Sequence, residues 1–385
     1  MPQDAGSELG ATSRGRNQMP GLFAPITIGS LQLRNRIMRS ATMECMVDPG
    51  TGAPLPKLRA LYRALGEGGV GLIVTGHAYV ARSGKTHPEM SSIASDDLIP
   101  AWREAIRPAQ EAGARVMMQI NHGGTQVDPA VTPEALSPSG VASNDSVTPR
   151  SMTEDEIRGL VIAYGQAARR VREAGLDGVQ IHGAHGYLIT QFLSPATNLR
   201  QDRWGGSPER RLSFLREVAR EIRQQVGADY PVWIKLGVAG GEENGLTLAM
   251  GAQVARACIS YGIDCIEISH ARGIPEGMRA KREAVFLPMA EAVREAVGPD
   301  FPLALVYGFR SRSVMVEVLA SEVVQLVSMS RPLIAEPDLL NKLRSGASER
   351  ALCQSCGRCL ATVLGEVLLG EGVACHNPKV QEALR

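Results

Sequence analysis

Long hydrophobic runs are missing from this sequence. No segment holds the roughly eighteen uninterrupted apolar residues that a membrane-spanning helix requires, and the opening MPQDAGSELGATSRGRNQMP is polar and small where a signal peptide would be apolar. A cytoplasmic protein with a disordered leader over residues 1–20 is therefore expected. Net charge is nearly absent too: 41 Lys and Arg against 40 Asp and Glu leave +1. No global field then draws the chain to nucleic acid or to an anionic membrane, and small neutral partners become the expectation. Cysteine is scarce for 385 residues, and four of the seven cysteines crowd into the last 33. That distribution argues against a disulfide framework and for a local ligand cluster. Internal repeats and low-complexity linkers are absent as well.

What is present is an alternation of apolar, β-branched runs with amphipathic stretches. Eight runs read as strands: Arg36 to Ser40, Gly71 to Thr75, Val116 to Ile120, Gly178 to His182, Val232 to Leu236, Cys265 to Ser269, Leu303 to Val306 and Val324 to Met329. Helical patterns follow them at about 56–66, 98–112, 153–174, 208–226, 247–261, 283–297, 311–320 and 335–344. Two of these open on capping signals, TEDE at Thr153 and SPER at Ser207. Continuous rather than alternating apolar strands imply burial on both faces, the property of parallel strands covered by helices. Eight such units predict an α/β protein with a closed (β/α)8 TIM barrel over 21–345, followed by a cysteine-rich extension over 346–385.

In such a barrel, chemistry belongs at the C-terminal strand ends. Polar residues gather there: Ser40 and Thr42, His77, Gln119, Asn121 and His122, His182, Lys235, Ser269 and His270, Tyr307, Ser328, Ser330 and Arg331, with His185 and Tyr187 just beyond the fourth strand. The stretch HGAHGYLITQFLSPATNLRQDRWGGS after that strand, with NRIMRSAT early and VSMSRPLIAEPDLLNKL late, resembles the Old Yellow Enzyme family of FMN-dependent oxidoreductases from about Leu22 to Leu343. The cysteine tail resembles a narrower branch, the flavin domain of 2,4-dienoyl-CoA reductase and trimethylamine dehydrogenase.

The resemblance implies a chemistry for the histidine pair. A carbon-carbon double bond conjugated to a carbonyl accepts hydride only if the charge developing on the oxygen is stabilised, and two converging imidazole donors achieve this. His182 and His185 match that role, and Tyr187 matches the proton donor to the α-carbon. FMN is implied along Ala41, Thr42, Gly76, Gln119, His182 and Lys235, with its phosphate near Gly308, Ser330 and Arg331. Lys235 would stand beside the flavin pyrimidine ring; the alternative is a barrel lysine paired with an acid such as Glu267. Met43 takes the place where relatives often carry a threonine or cysteine. His77, His122 and His270 are candidates for the substrate pocket, whereas Cys45, Cys258 and Cys265 read as buried filler.

Cys353, Cys356 and Cys359 repeat at three-residue intervals, and Cys375 follows after fifteen more. Such thiolates converge on one metal centre more readily than they pair with each other. The branch resemblance implies a 4Fe-4S cluster, although its second gap is usually one residue longer; tetrahedral zinc uses the same four sulfurs. Ten residues follow Cys375, so the electrons are expected from NAD(P)H directly or from a separate donor protein. The expected substrate is a small enone, with ene reduction and its reverse both open, as is a homo-oligomer. The alternative is a non-redox, metal-stabilised barrel that binds a phosphorylated ligand or a protein partner.

Overall fold

A computed structural model describes residues 21–142, 148–278, 282–359 and 371–384. The proposed leader at 1–20 lies outside the described residues. Eight parallel strands form the barrel: β1 (Ile37–Arg39), β2 (Leu72–Val74), β3 (Arg115–Asn121), β4 (Gly178–Gly183), β5 (Val232–Ala239), β6 (Cys265–His270), β7 (Leu303–Val306) and β8 (Leu326–Met329). Each pairs with its successor and β8 returns to β1, so the sheet closes without an edge. The helices α1 (Pro56–Glu67), α2 (Ile99–Glu111), α3 (Glu154–Glu173), α4 (Ser213–Val226), α5 (Leu248–Ser260), α6 (Leu287–Val297), α7 (Arg312–Ala320) and α8 (Leu339–Ser345) follow the strands in turn. Thr153 and Glu156 form a full capping box on α3. Ser207 caps a short helix, Pro208–Arg211, set just before α4, so the single stretch expected over 208–226 is two helices.

The period of two along each strand sorts the barrel interior into layers. At the floor lie Met38, Leu72, Met117, Trp233, Cys265 and Leu326, plugged from below by the hairpin Ile26–Ile28 and Leu31–Leu33. Two residues further along, the inward positions turn polar: Ser40, Gln119, Lys235, Glu267 and Ser328, all buried. Glu267 is the hub of that layer. It accepts hydrogen bonds from Ser40 Oγ at 2.7 Å, Ser328 Oγ at 2.7 Å and Gln180 Nε2 at 3.0 Å, and pairs with Lys235 Nζ at 3.4 Å. The remaining apolar side chains fill the shell between barrel and helices, Cys258 among them. Among the described residues no helix is long and apolar enough to cross a membrane.

Candidate active site

The fourth strand ends in a sharp loop that is over-determined by hydrogen bonds. His185 adopts φ +60, a sparsely populated region for a side chain of its size. It is held there because its N–H donates to the His270 carbonyl at 3.1 Å and its carbonyl accepts from Gln126 Nε2 at 2.6 Å. Gly186 must be glycine: at φ +77, a Cβ would stand 2.7 Å from Gln126 Nε2. The helix Leu188–Leu193 then begins, with Tyr187 at its N-terminal boundary.

Three predicted catalytic rings meet as a result. The His182 ring lies 5.1 Å from His185 and 4.8 Å from Tyr187, centroid to centroid, both edge-on. His182 Nδ1 accepts from the Ala184 N–H at 3.3 Å, which puts the imidazole proton on Nε2. His185 Nε2 bonds Ser269 Oγ at 2.9 Å. Burial holds both imidazoles well below their ordinary pKa, with the neighbouring histidines adding to the effect. They are neutral hydrogen-bond donors, not cations. Burial also pushes the half-buried Tyr187 phenol up to about 12, so it carries its proton at neutral pH.

A cavity of about 300 Å³ opens beside this cluster. Ala41, Thr42, His185, Lys235, Ser330 and Arg331 line it, as the sequence predicts, and so do Met43 and His270. Thr42 Oγ1 and Ser330 Oγ are bonded at 2.8 Å, tying the end of β1 to that of β8. Tyr307 (φ +104) and Gly308 (φ +87) turn the chain sharply after β7, and the Arg331 guanidinium lies 5.6 Å over the Tyr307 ring. The amides of Arg310 and Ser311 at the start of α7 are already used: both donate to the Glu283 carboxylate, at 2.7 and 2.8 Å. The cationic pole of the cavity is therefore Lys235 and Arg331. An aromatic cofactor with a phosphate tail fits the donor set of Lys235, Ser330 and Arg331; Gly308, expected beside the phosphate, is not among the lining residues and packs against Arg282 and Glu283.

Other expectations change. Gly76 does not face the cavity with a free amide: its N–H donates to both Glu44 oxygens, at 3.0 and 2.9 Å, and Glu44 is itself paired with buried Arg39. Gln119 donates to Gln180 Oε1 at 2.7 Å and belongs to the polar layer. Lys235 lines the cavity and also makes the pair with Glu267 that the sequence offered as its alternative. His122 is structural: Nδ1 accepts from Gly124 N–H at 3.1 Å and Nε2 bonds Ser83 Oγ at 3.1 Å. His77 does join the cluster, with its ring 5.1 Å from Tyr187. Sequence reasoning missed Gln180 and foresaw for Glu267 only its pairing with Lys235, not its hub position; the signal was a polar residue inside each of two otherwise apolar runs, GVQIH and CIEIS. Cys45, with its thiol pushed up to about 12 by burial and by nearby Glu89 and Glu44, and Cys258, pushed up to about 12 by burial, are packing residues.

The tail folds back onto the mouth of the barrel. Leu352 N–H donates to Glu336 Oε2 at 2.6 Å, Arg331 Nη1 to the Ser355 carbonyl at 3.3 Å, and Val373 N–H to the Glu44 carbonyl at 2.7 Å. Cys353, Cys356, Cys359 and Cys375 border one small cavity that shares Arg331, Ile334 and Cys359 with the main one. Among the described residues no three His, Cys, Asp or Glu side chains are gathered closely enough to hold a metal ion, and the four cysteines meet only around that shared cavity. Their type and common cavity suit a thiophilic metal. The Cys356 thiol is held below its ordinary range by a hydrogen bond from the Arg358 amide, with Asn377 Nδ2 a further donor at 3.5 Å.

Comparison with known proteins agrees with this architecture. The chain is 33% identical to a metal reductase of Desulforamulus reducens over 92% of its length, covering 53% of that protein. It is 32% identical to an NADPH dehydrogenase of a Geobacillus species over 82% of its length, covering 91% of that protein. A solved 2-naphthoyl-CoA reductase complex superposes with a TM-score of 0.81 at 28% identity, over 85% of this chain and 52% of that one. The chain thus spans about half the length of the first of these relatives. With a profile of the NADH:flavin oxidoreductase / NADH oxidase family matching residues 21–350, the chain belongs to that family.

Proposed function

We propose that this chain is an FMN-dependent oxidoreductase that uses NAD(P)H and acts on a carbon-carbon double bond conjugated to a carbonyl. The observation that carries the reading is the meeting of His182, His185 and Tyr187 rings at 4.8 to 5.1 Å beside a cavity with a lysine and an arginine in its wall. Ala41, Thr42, Lys235, Ser330 and Arg331 would hold FMN, and bound FMN supplies the hydride. His182 and His185 orient the substrate carbonyl and stabilise its oxygen as charge develops, as neutral donors in a water-poor pocket. Tyr187 gives its proton to the α-carbon; in the desaturating direction its conjugate base removes one. The four cysteines would hold zinc or a 4Fe-4S cluster, the latter adding single-electron transfer.

Heat release of the cofactor followed by chromatography tests the reading. FMN is expected; FAD overturns the cofactor assignment, and no flavin after reconstitution overturns the reading and leaves a non-redox barrel that binds a phosphorylated ligand or a protein.

A further inference from the structure

His77 has no assigned part in the chemistry above, yet it stands against the proposed proton donor. It ends the turn after β2, is buried, and its ring lies 5.1 Å from Tyr187 and 5.9 Å from His182. Asn121, at the end of β3, places its side-chain nitrogen 2.9 Å from His77 Nδ1. An amide N–H donating to Nδ1 leaves the imidazole proton on Nε2. Asn121 is fully buried, so this interaction cannot be exchanged for water.

The groups facing His77 are His87 from the loop after β2, at 6.0 Å between rings, His182 and Tyr187 from β4 and its loop, and Lys235 on β5. No carboxylate is among these neighbours, and burial, His87 and Lys235 hold the His77 pKa down to about 3. At neutral pH the ring is therefore a fixed donor, unable to act as an acid itself.

On the reading of Tyr187 as the proton donor, we propose that His77 is its positioning residue. The two rings face each other without a hydrogen bond in the resting structure; as charge develops on the phenol oxygen, the His77 Nε2–H donates to it and stabilises the tyrosinate left once the hydroxyl proton has moved to the substrate α-carbon. Water then returns a proton to the tyrosinate, and His77 keeps its own throughout. Asn121 holds the imidazole in the one tautomer that can do this.

The test uses flavin-loaded full-length protein, His77→Phe, His77→Gln, Asn121→Leu and a Tyr187→Phe control, with cyclohexenone as the probe. Tyrosinate absorbance, taken as the difference from Tyr187→Phe, reads the phenol directly in flavin-free protein. In His77→Phe the phenol titration should move up by roughly one pH unit and proton delivery in single turnover should slow roughly tenfold, the scale of one hydrogen bond to a charged oxygen. His77→Gln, whose amide nitrogen replaces Nε2, should recover most of both effects, and Asn121→Leu should fall between. An unmoved titration with an unchanged rate in His77→Phe, while Tyr187→Phe is slow, overturns the proposal alone. A Tyr187→Phe enzyme as fast as the parent overturns it together with the proposed function.

Discussion

The histidine–tyrosine cluster and the cysteine segment share walls at Arg331, Ile334 and Cys359, but they are held in place by different means. His182 sits on a strand of the closed sheet, in register with Lys235, as Gln180 is with Gln119 and Trp233. His185 and Tyr187 stand on the loop after that strand, which is pinned by hydrogen bonds to His270 and Gln126. Among its described residues the cysteine segment has no sheet ladder. It hangs on single hydrogen bonds to Glu336, Arg331 and Glu44, passes through Ser355 at φ +53 and Gly357 at φ +78, and leaves its thiols half-buried or exposed. The contrast teaches that a barrel can preorganise donors through its sheet, whereas donors on a loop depend on a few separate contacts.

The sharpest way to break that contrast is to remove the hub of the barrel interior. Glu267→Leu leaves Lys235 buried without a counter-charge and strands three hydrogen-bond donors, so a loss of about 3–5 kcal/mol is expected in urea denaturation. Metal content should not change. A midpoint equal to that of the parent would mean the polar layer does not hold the site.

Tyr187→Phe comes next. Flavin reduction by NAD(P)H should stay near the parental rate while the reaction with an activated alkene slows by roughly 100-fold or more, as stopped-flow absorbance would record. Changing His182 or His185 should instead weaken the binding of phenol-like ligands.

In the tail, Cys353→Ser should lower the content of iron or zinc and raise hydrogen exchange over 353–359 and 371–384, with the barrel's melting temperature little altered. About four irons with matching sulfide per chain in anaerobically purified parent protein identifies a cluster, and one zinc identifies a structural clip. Unchanged metal in the variant would remove Cys353 from the ligand set.

The smallest effect is in the acid limb of stability. His77 and His122 are held down to about 3 and His87 to about 4, against an ordinary 6.5, because burial disfavours the cation. The unfolded chain therefore takes up protons first, so the stability present above pH 6.5 is lost as pH falls from there toward 3. His122→Asn, which preserves an acceptor for the Gly124 N–H, should reduce the slope of unfolding free energy against pH by about one proton. An unaltered slope would assign the acid lability to carboxylates.

Much of the barrel is legible in the chain. All eight strands stand where largely apolar runs predict them, because strands covered on both faces bury most of their side chains. Boundaries moved by a residue or two, most at β5, which runs on to Ala239. The hairpin at the floor was not read from the sequence: ITI and LQL alternate around Gly29 and Ser30, but each strand is only three residues long. In the candidate site, the strand-four residues were recognisable from their motif and Lys235 and Arg331 from their strand ends. Gly76 was misplaced because nothing local reveals that Glu44, 32 residues earlier, would take its amide.

Residue order alone therefore determined the strand count, the parallel closure and which side chains point to the barrel mouth, because burial and the two-residue period act locally along each strand. Only the tertiary structure decided which of those side chains spend their hydrogen bonds on each other. Glu267 gathering Ser40, Ser328, Gln180 and Lys235, and Asn121 meeting His77 across 44 residues, are contacts between strands brought together by closure of the sheet. A buried polar group takes whatever partner the fold places within 3 Å or so, and that choice is made in space.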